Sequence, residues 1–398
     1  MQSKSLPART DVLVIGAGPT GLALSISLAQ AGVDHVLVDR LAQGLNTSRA
    51  AVIHAHTLEA LGGLGVADAL VAEGLKARHF SIRERDRALV RLGFGALPSP
   101  FAYLLMVPQD ATERVLADRL ETLGGGVHRG VTAEAVSESR GAVQVRFDDN
   151  GTPRSIEARY VVGADGIDSI VRRSAGIEFD GGRYAHSFVL ADASLDWPHG
   201  RDEVMLFFAP AGPVVVAPLP NGQFRIVAAM ENAPEHPGVA EIQGLLDANG
   251  PRNGGRARVT GVAWSSRFRI HHRLARSYRR GRLLIMGDAA HVHSPAGGQG
   301  MNTGLVDAVV LGRLLADVAK GTRPDAALDL YESLRRPAAA KVLRLADGLT
   351  TMAMTTGRLA RFVRDLRLRI IGALPPVKRM LMMNLSGLSR RDAARIAP

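Results

Sequence analysis

Cysteine is absent from the 398 residues, which excludes disulfides, thiolate nucleophiles and cysteine-ligated metal or iron–sulfur centres. Any redox work must therefore use a borrowed cofactor. Aromatic residues make up only 5% of the chain, and the formal charge of +11 is carried overwhelmingly by arginine. That charge is spread in short pairs such as Arg279-Arg280, Arg335-Arg336 and Arg390-Arg391. A diffuse positive field suits anionic small ligands, cofactor phosphates included, but with few rings to stack bases a nucleic-acid partner is not expected. Residues 1–10 are polar and lack the apolar centre of a targeting leader, so a cytoplasmic location is expected. The apolar stretch from Ile15 to Val33 is interrupted by glycines, Pro19 and Gln30, which fit a strand, turn and helix better than a membrane span.

A chain of this length suits two interleaved domains rather than one core. The first segment reads as a βαβ unit: a strand over Asp11 to Ile15, a helix over Leu22 to Ala31 and a strand over Val36 to Val38. Helical spacing runs from Ala50 to Leu70, with Gly62-Gly63 as a break, and again from Gln109 to Leu123. Strands are expected over Val143 to Phe147 and Arg159 to Val162. The middle is β-rich, over Val204 to Phe208, Gly212 to Ala217 and Phe224 to Met230, with Asn221-Gly222 as a hairpin turn. This pattern predicts an antiparallel sheet inserted into a nucleotide-binding α/β fold. A buried strand at Leu283 to Met286, a glycine-rich loop and a helix over Thr303 to Ala319 follow. The basic tail from Met352 to Leu385 is helical with a break at Pro375-Pro376, and is expected to pack across the two domains, with a membrane surface or partner helix as the alternative.

Gly16-Ala-Gly18-Pro19-Thr20-Gly21 places a GxGxxG turn after a strand and before a helix. The first glycine permits the tight turn, the second lets a pyrophosphate approach the backbone, and the third lets helix and strand pack. Asp39 ends the next strand, where its carboxylate can accept from a ribose hydroxyl and would repel a phosphate there; adjacent Arg40 weakens that repulsion. The motif predicts a dinucleotide but does not distinguish FAD from NAD. Isolated Asp-Gly and Gly-Asp pairs are ordinary turn and cap residues, so Asp165 and Asp288 gain meaning only from context. His291 and His293 have HxH spacing without an accompanying carboxylate pattern, so no metal is expected.

The segment from Tyr160 through Asp165-Gly166 to Arg173 resembles the DG signature of the class A flavoprotein monooxygenases, the family of p-hydroxybenzoate hydroxylase. Gly287-Asp288 through Pro295, Gly298, Gln299, Gly300, Met301 and Asn302 resembles the GD signature of that family, and the order and spacing agree. The resemblance implies a Rossmann-like FAD-binding domain in three parts, residues 1–75, 106–178 and 276–345, with substrate-domain segments at 76–105 and 179–275 and a helical region at 346–398. It implies that Asp288 bonds the ribityl chain, that the loop from Pro295 to Asn302 lies against the isoalloxazine, and that Asp165 serves FAD and NAD(P)H. Arg49 and Gln109 resemble flavin-contacting residues. His56 departs from the arginine usual before Thr-Leu-Glu, which puts any contact made by that arginine in doubt. Many relatives continue into a thioredoxin-like domain, which is not expected in this chain.

By the same resemblance, NADH or NADPH binds transiently and reduces FAD, and a flavin C4a-hydroperoxide hydroxylates a small aromatic, phenolic or polyketide-like substrate with O2. Candidate walls of an apolar, water-excluding pocket are Met205, Phe207, Val215, Ala217 and Ile226, with Pro295 at the flavin side; core packing is the competing reading. Rival readings are a flavoenzyme for Baeyer–Villiger insertion or alkene reduction, told apart by product connectivity and oxygen consumption, and a non-catalytic flavin sensor, told apart by absence of turnover. Trp197 and Trp264 do not sit in a halogenase-like Trp-x-Trp-x-Ile-Pro pattern.

Overall fold

The computed structural model describes residues 6–44, 50–139, 141–149, 151–208, 212–230, 232–252, 255–355 and 357–396, apart from the side chains of 185 and 186. The chain opens with β1 (Arg9–Ile15), α1 (Pro19–Gln30) and β2 (His35–Asp39). Where helical spacing is expected from Ala50, a short strand β3 (Val52–Ile53) comes first, and α2 (Ala55–Gly62), ending at the Gly62-Gly63 break, and α3 (Ala67–Glu73) follow. Next come β4 (Leu75–Ala77), β5 (His79–Glu84), β6 (Arg87–Gly93), β7 (Leu104–Met106) and α4 (Gln109–Thr122). Strands β8 (His128–Arg129), β9 (Val131–Ser139), β10 (Ala142–Asp149) and β11 (Thr152–Gly163) lead into the short α5 (Ile170–Ser174).

One sheet runs β8, β2, β1, β11 and then two later strands, with β1, β2, β8 and β11 parallel, β10 added antiparallel to β11 and β9 antiparallel to β10. Its central runs are apolar without alternation because both faces are covered: Leu13, Val14, Val161 and Val162 are all buried.

The second sheet is built on two long strands, β12 (Phe179–Asp196) and, later, β16 (Arg258–Ala275). Between them lie β13 (Glu203–Phe207), β14 (Val214–Pro218), β15 (Phe224–Ala229) and α6 (Val239–Asn249). The hairpin at Asn221-Gly222 joins β14 and β15 antiparallel, with Gly222 at φ +87° supplying the left-handed turn position. Only β13 with β5 is parallel in this sheet.

The chain then returns to the first sheet with β17 (Arg279–Arg280) and β18 (Leu283–Ile285), the latter parallel to β11. Strand β19 (His291–Val292) pairs with β16, so the second sheet is hydrogen-bonded to the loop that follows Gly287-Asp288. Helices α7 (Gly300–Ala319) and α8 (Asp329–Ala353) follow, and α7 packs on α1 at two glycines. A Cβ at Gly312 would stand 2.3 Å from Ser27 Oγ, and one at Gly304 2.5 Å from Thr20 Oγ1. The tail forms α9 (Arg358–Ala373) and α10 (Pro375–Leu385), separated at Leu374 because the proline pair starts the second helix. Helix α9 lies along β6 of the second sheet by one face, and its other face is exposed.

The alternation of β13, β14 and β15 sorts the expected pocket walls. Met205, Phe207 and Ile226 belong with Ile242, Leu245 and Leu246 of α6, on the face away from the first sheet. They pack in a sheet–helix layer with α6, as the core-packing reading expects. Val215 and Ala217 lie on the opposite face, clustered with Ala51, Val52, Leu206, Phe208 and Met106.

Asp307, on α7, is 0% exposed and carries the deepest polar network. Its Oδ1 accepts from Arg335 Nε of α8 at 2.7 Å and its Oδ2 lies 2.6 Å from His291 Nε2. Arg335 also donates to Thr303 O and Ala393 O, which brings the chain end onto the same helix pair. Replacing one member of such a network leaves a buried charge without its partner, which costs about 3–5 kcal/mol. Asp307→Asn is expected to lower unfolding stability by that order in urea titration, and an unchanged midpoint would contradict the network's role.

Candidate active site

Three turns meet at the C-terminal ends of β1, β11 and β18, where ligands bind in open parallel sheets. Backbone bonds set their spacing: Gly16 N–H donates to Val38 O at 2.9 Å, Ala164 N–H to Ile15 O at 2.8 Å and Met286 N–H to Gly163 O at 3.0 Å. Gly16, at φ +105°, leaves no room for a side chain, since a Cβ would stand 2.4 Å from Ala164 O. A Cβ on Gly21 would stand 1.9 Å from Gly16 O, the close helix–strand approach that the third glycine serves. Thr20 fills the gap left by Gly287 and Gly304, which joins the first turn to the Gly287-Asp288 loop.

Gly18 differs from its neighbours. Among the described residues a Cβ there meets no atom within 4 Å. As N-cap of α1, followed by Pro19, it borders the helix end whose first N–H groups have no intrahelical partner. A cradle open on the protein side, at a positive helix end, fits a diphosphate. Asp39 closes one side: its Oδ2 accepts from Ala17 N–H at 2.7 Å and its Oδ1 from Leu41 N–H at 2.8 Å. Each oxygen keeps acceptor capacity for a hydroxyl. Arg40 is exposed.

The other expected site residues divide by where their side chains go. Asp288 is exposed between buried Gly287 and Ala289. Asp165 is turned into its own loop, with Oδ2 accepting from Ile170 N–H at 2.7 Å and burial raising its pKa above the ordinary carboxylate range. Gln109 Oε1 accepts from Ala50 N–H at 3.3 Å and its Nε2 donates to Glu113. Gln299 is buried, donating to Leu385 O and Gly297 O and accepting from Arg390. Asn302 is also spoken for: its Oδ1 accepts from His54 N–H and its Nδ2 donates to Val52 O and Gly298 O. These two side chains shape the loop, in which Gly297, Gly298, Gly300 and Met301 are half-buried. Gly298, at φ +61°, must be glycine, because a Cβ would collide with Val52 Cγ1 at 2.1 Å. Pro295 is exposed at the loop's start. Arg49 lies outside the described residues.

Two arginines not expected at the site hold its parts together. Arg225, 3% exposed, forms a two-pronged pair with Asp192 and donates to Ala50 O at 2.8 Å, so the second sheet grips the segment that Gln109 also holds. Arg172 donates to Ala289 O and Ile167 O and stacks on Phe179, tying the Asp165 and Asp288 loops. A single arginine within a strand or short helix has no sequence signature of such a role.

A small cavity of ≈ 20 Å³ is lined by His54, His56, Gln299, Arg335 and Arg390, with Val306, Ala338 and Val342. Among the described residues no group of three or more histidines and carboxylates could hold a metal ion. His291 is engaged by Asp307, and His293 lies 2.8 Å through Nδ1 from Ser294 O. Burial lowers His54, His56 and His293 to about 4 from 6.5, with Arg335 as the next cause for His56.

Between pH 6.5 and about 4 the unfolded chain therefore binds protons at these histidines that the folded chain does not. Stability is expected to fall as pH drops through that window, and His56→Gln should flatten the fall in denaturant midpoints; an unaltered slope would contradict it. For the first turn, Gly18→Ala is expected to fold with unchanged ligand-free stability yet weaken FAD binding by about tenfold or more, whereas Gly21→Ala should destabilise the fold itself. Thermal unfolding with and without FAD separates the two.

Comparison with known proteins agrees with this geometry. Residues 9–346 match the FAD binding domain family. The chain is 35% identical over 399 residues to 6-methylpretetramide 4-monooxygenase of Streptomyces rimosus, covering 96% of this chain and 71% of that one. The crystal structure of OxyS anhydrotetracycline hydroxylase from Streptomyces rimosus superposes with a TM-score of 0.79 at 33% identity, over 96% of this chain and 76% of the other. That of p-nitrophenol 4-monooxygenase from Pseudomonas putida shares the fold, with a TM-score of 0.87 at 22% identity over 98% and 100% of the two chains. The glycine turn, the Asp165 and Asp288 loops and the sheet that covers them are thus those of a known enzyme family, and the chain belongs to the FAD-dependent class A aromatic monooxygenases.

Proposed function

We propose that this enzyme hydroxylates a small aromatic compound, phenolic or polyketide-like, with NAD(P)H and dioxygen. The observation that carries the reading is the convergence of the Gly16–Gly21 turn with the Gly287-Asp288 loop beneath an apolar sheet face. In the net reaction NAD(P)H gives two electrons, one oxygen atom enters a carbon–hydrogen bond of the substrate, and the other leaves as water. The redox chemistry, acceptance of hydride and activation of dioxygen, is supplied by FAD when bound.

The chain's own residues bind, orient and keep water out. Backbone N–H groups at the start of α1 would hold the diphosphate, and Asp39 would accept from a ribose hydroxyl. Asp288, exposed, would accept from the ribityl hydroxyls. The first turn of α7, with Gly297 and Gly298 ahead of it, would hold the flavin ring through backbone N–H groups at a positive helix end. Asp165 acts on the cofactors through the loop it braces. Val215 and Ala217, with Leu206 and Phe208, form the dry wall on the substrate side. Reduced nicotinamide is regenerated in the cytoplasm, which suits a cytoplasmic site of action.

Without oxygen, a correct aromatic substrate is expected to speed bleaching of the bound flavin by NAD(P)H, and in a separate turnover under labelled dioxygen one labelled atom should enter the product. Equal reduction rates across a broad phenol panel, with all oxygen recovered as peroxide, would count against hydroxylation. Asp288→Ala is expected to lose FAD on dialysis; full occupancy afterwards would remove its assigned role.

A further inference from the structure

Helix α9 packs inward through Arg364, whose guanidinium lies 4.5 Å from the ring centre of Phe208, and through Leu368 and Gly372, the last against Leu89 O of β6. The opposite side of the same helix is apolar. Leu359, Phe362, Leu366 and Ile370 follow one another at helical spacing and are 75%, 66%, 45% and 52% exposed. Leu374 and Met380 extend the exposed apolar surface into α10. Four large side chains in one exposed stripe are a patch, not scattered surface residues.

The charges beside the stripe decide what can cover it. Helix α9 carries five arginines and one acid, Asp365, which is already paired with Arg364. On a helical projection the exposed Arg358 and Arg369 border one edge of the stripe and Arg367 the other, and Arg379 lies beyond on α10. A second copy of this chain docking here would bring like-charged edges together. An anionic lipid surface satisfies both features, because apolar side chains enter the acyl boundary while the flanking guanidiniums meet headgroup phosphates. No described helix is long and apolar enough to cross a membrane, so the contact is one of lying on the surface.

We propose that the exposed face of α9 seats the enzyme on an anionic membrane surface. The inner face of the same helix rests on Phe208, within the apolar cluster that lines the substrate side, so the docked helix places that side of the molecule next to the bilayer.

The test uses the FAD-bound full chain sedimented with phosphatidylcholine vesicles and with phosphatidylcholine–phosphatidylglycerol vesicles. Binding is expected with the mixed vesicles only, and to weaken as salt is raised. Phe362→Ser combined with Ile370→Ser should lower partitioning about tenfold or more, and Arg367→Glu with Arg369→Glu should abolish the lipid preference. All four positions are on the exposed part of α9, and unchanged flavin content and circular dichroism verify folding. Absence of sedimentation with mixed vesicles, or binding indifferent to both double variants, would overturn the proposal. So would a Phe362-dependent dimer in sedimentation velocity without vesicle binding, which would assign the face to a second copy, or vesicle-independent capture of an acidic protein by the same stripe.

Discussion

Missing side chains at four glycines let three backbone turns come within contact of one another, and everything at the site depends on that approach. Gly16 lies against Ala164, Gly21 against Gly16, and Gly287 and Gly304 against Thr20. An added methyl at Gly16 or Gly21 would stand 2.4 or 1.9 Å from a backbone oxygen, and one at Gly304 or Gly287 2.5 or 2.9 Å from Thr20 Oγ1. The result is a set of closely apposed backbone turns at the strand ends, bordered by the open side of Gly18. Such a surface is rigid because its atoms are also those of the parallel sheet, and it suits an elongated dinucleotide whose polar groups are spaced along its length.

A second constraint holds the flavin-side loop to that cleft. Buried Asp307 binds His291, just after the Gly287-Asp288 turn, and Arg335 of α8. Arg225 and Arg172 make comparable ties from the second sheet and from the Asp165 loop. Each of these guanidiniums donates to at least one backbone carbonyl of a loop or helix end. Polar atoms in the interior are thus used to fix irregular backbone in place.

Much of this was legible in the sequence wherever local pattern and position agree. The GxGxxG turn, Asp39, the α4 start at Gln109 and the Asn221-Gly222 hairpin carry their signals within a few residues. The orientation of β13 and β15 was not legible: Val204 to Phe208 is apolar throughout, so period-two alternation cannot say whether Met205 or Leu206 faces the pocket. The long strands β12 and β16 escape for the opposite reason. Their runs mix arginine, histidine and serine with apolar residues, because half of each strand is solvent-facing. Asp307 and Arg335 read as surface charges on two helices, and only their packing reveals a buried pair. Gln299 and Asn302, expected at the cofactor, turn inward; their side chains shape the loop.

The fold therefore divides labour between a backbone-built cleft and an apolar sheet that covers it, joined by β19 and by the Ala50 segment. That arrangement is useful only if a single flavin nucleotide spans from the first turn to the Asp288 loop. The most direct measurement is titration of FAD into flavin-free protein, followed by quenching of flavin fluorescence and by retention on gel filtration. The account predicts saturable uptake of one FAD per chain that is weakened both by Gly18→Ala and by Asp288→Ala, at opposite ends of the cleft. A polypeptide that stays colourless in excess FAD, or that binds it with indifference to both changes, would contradict it.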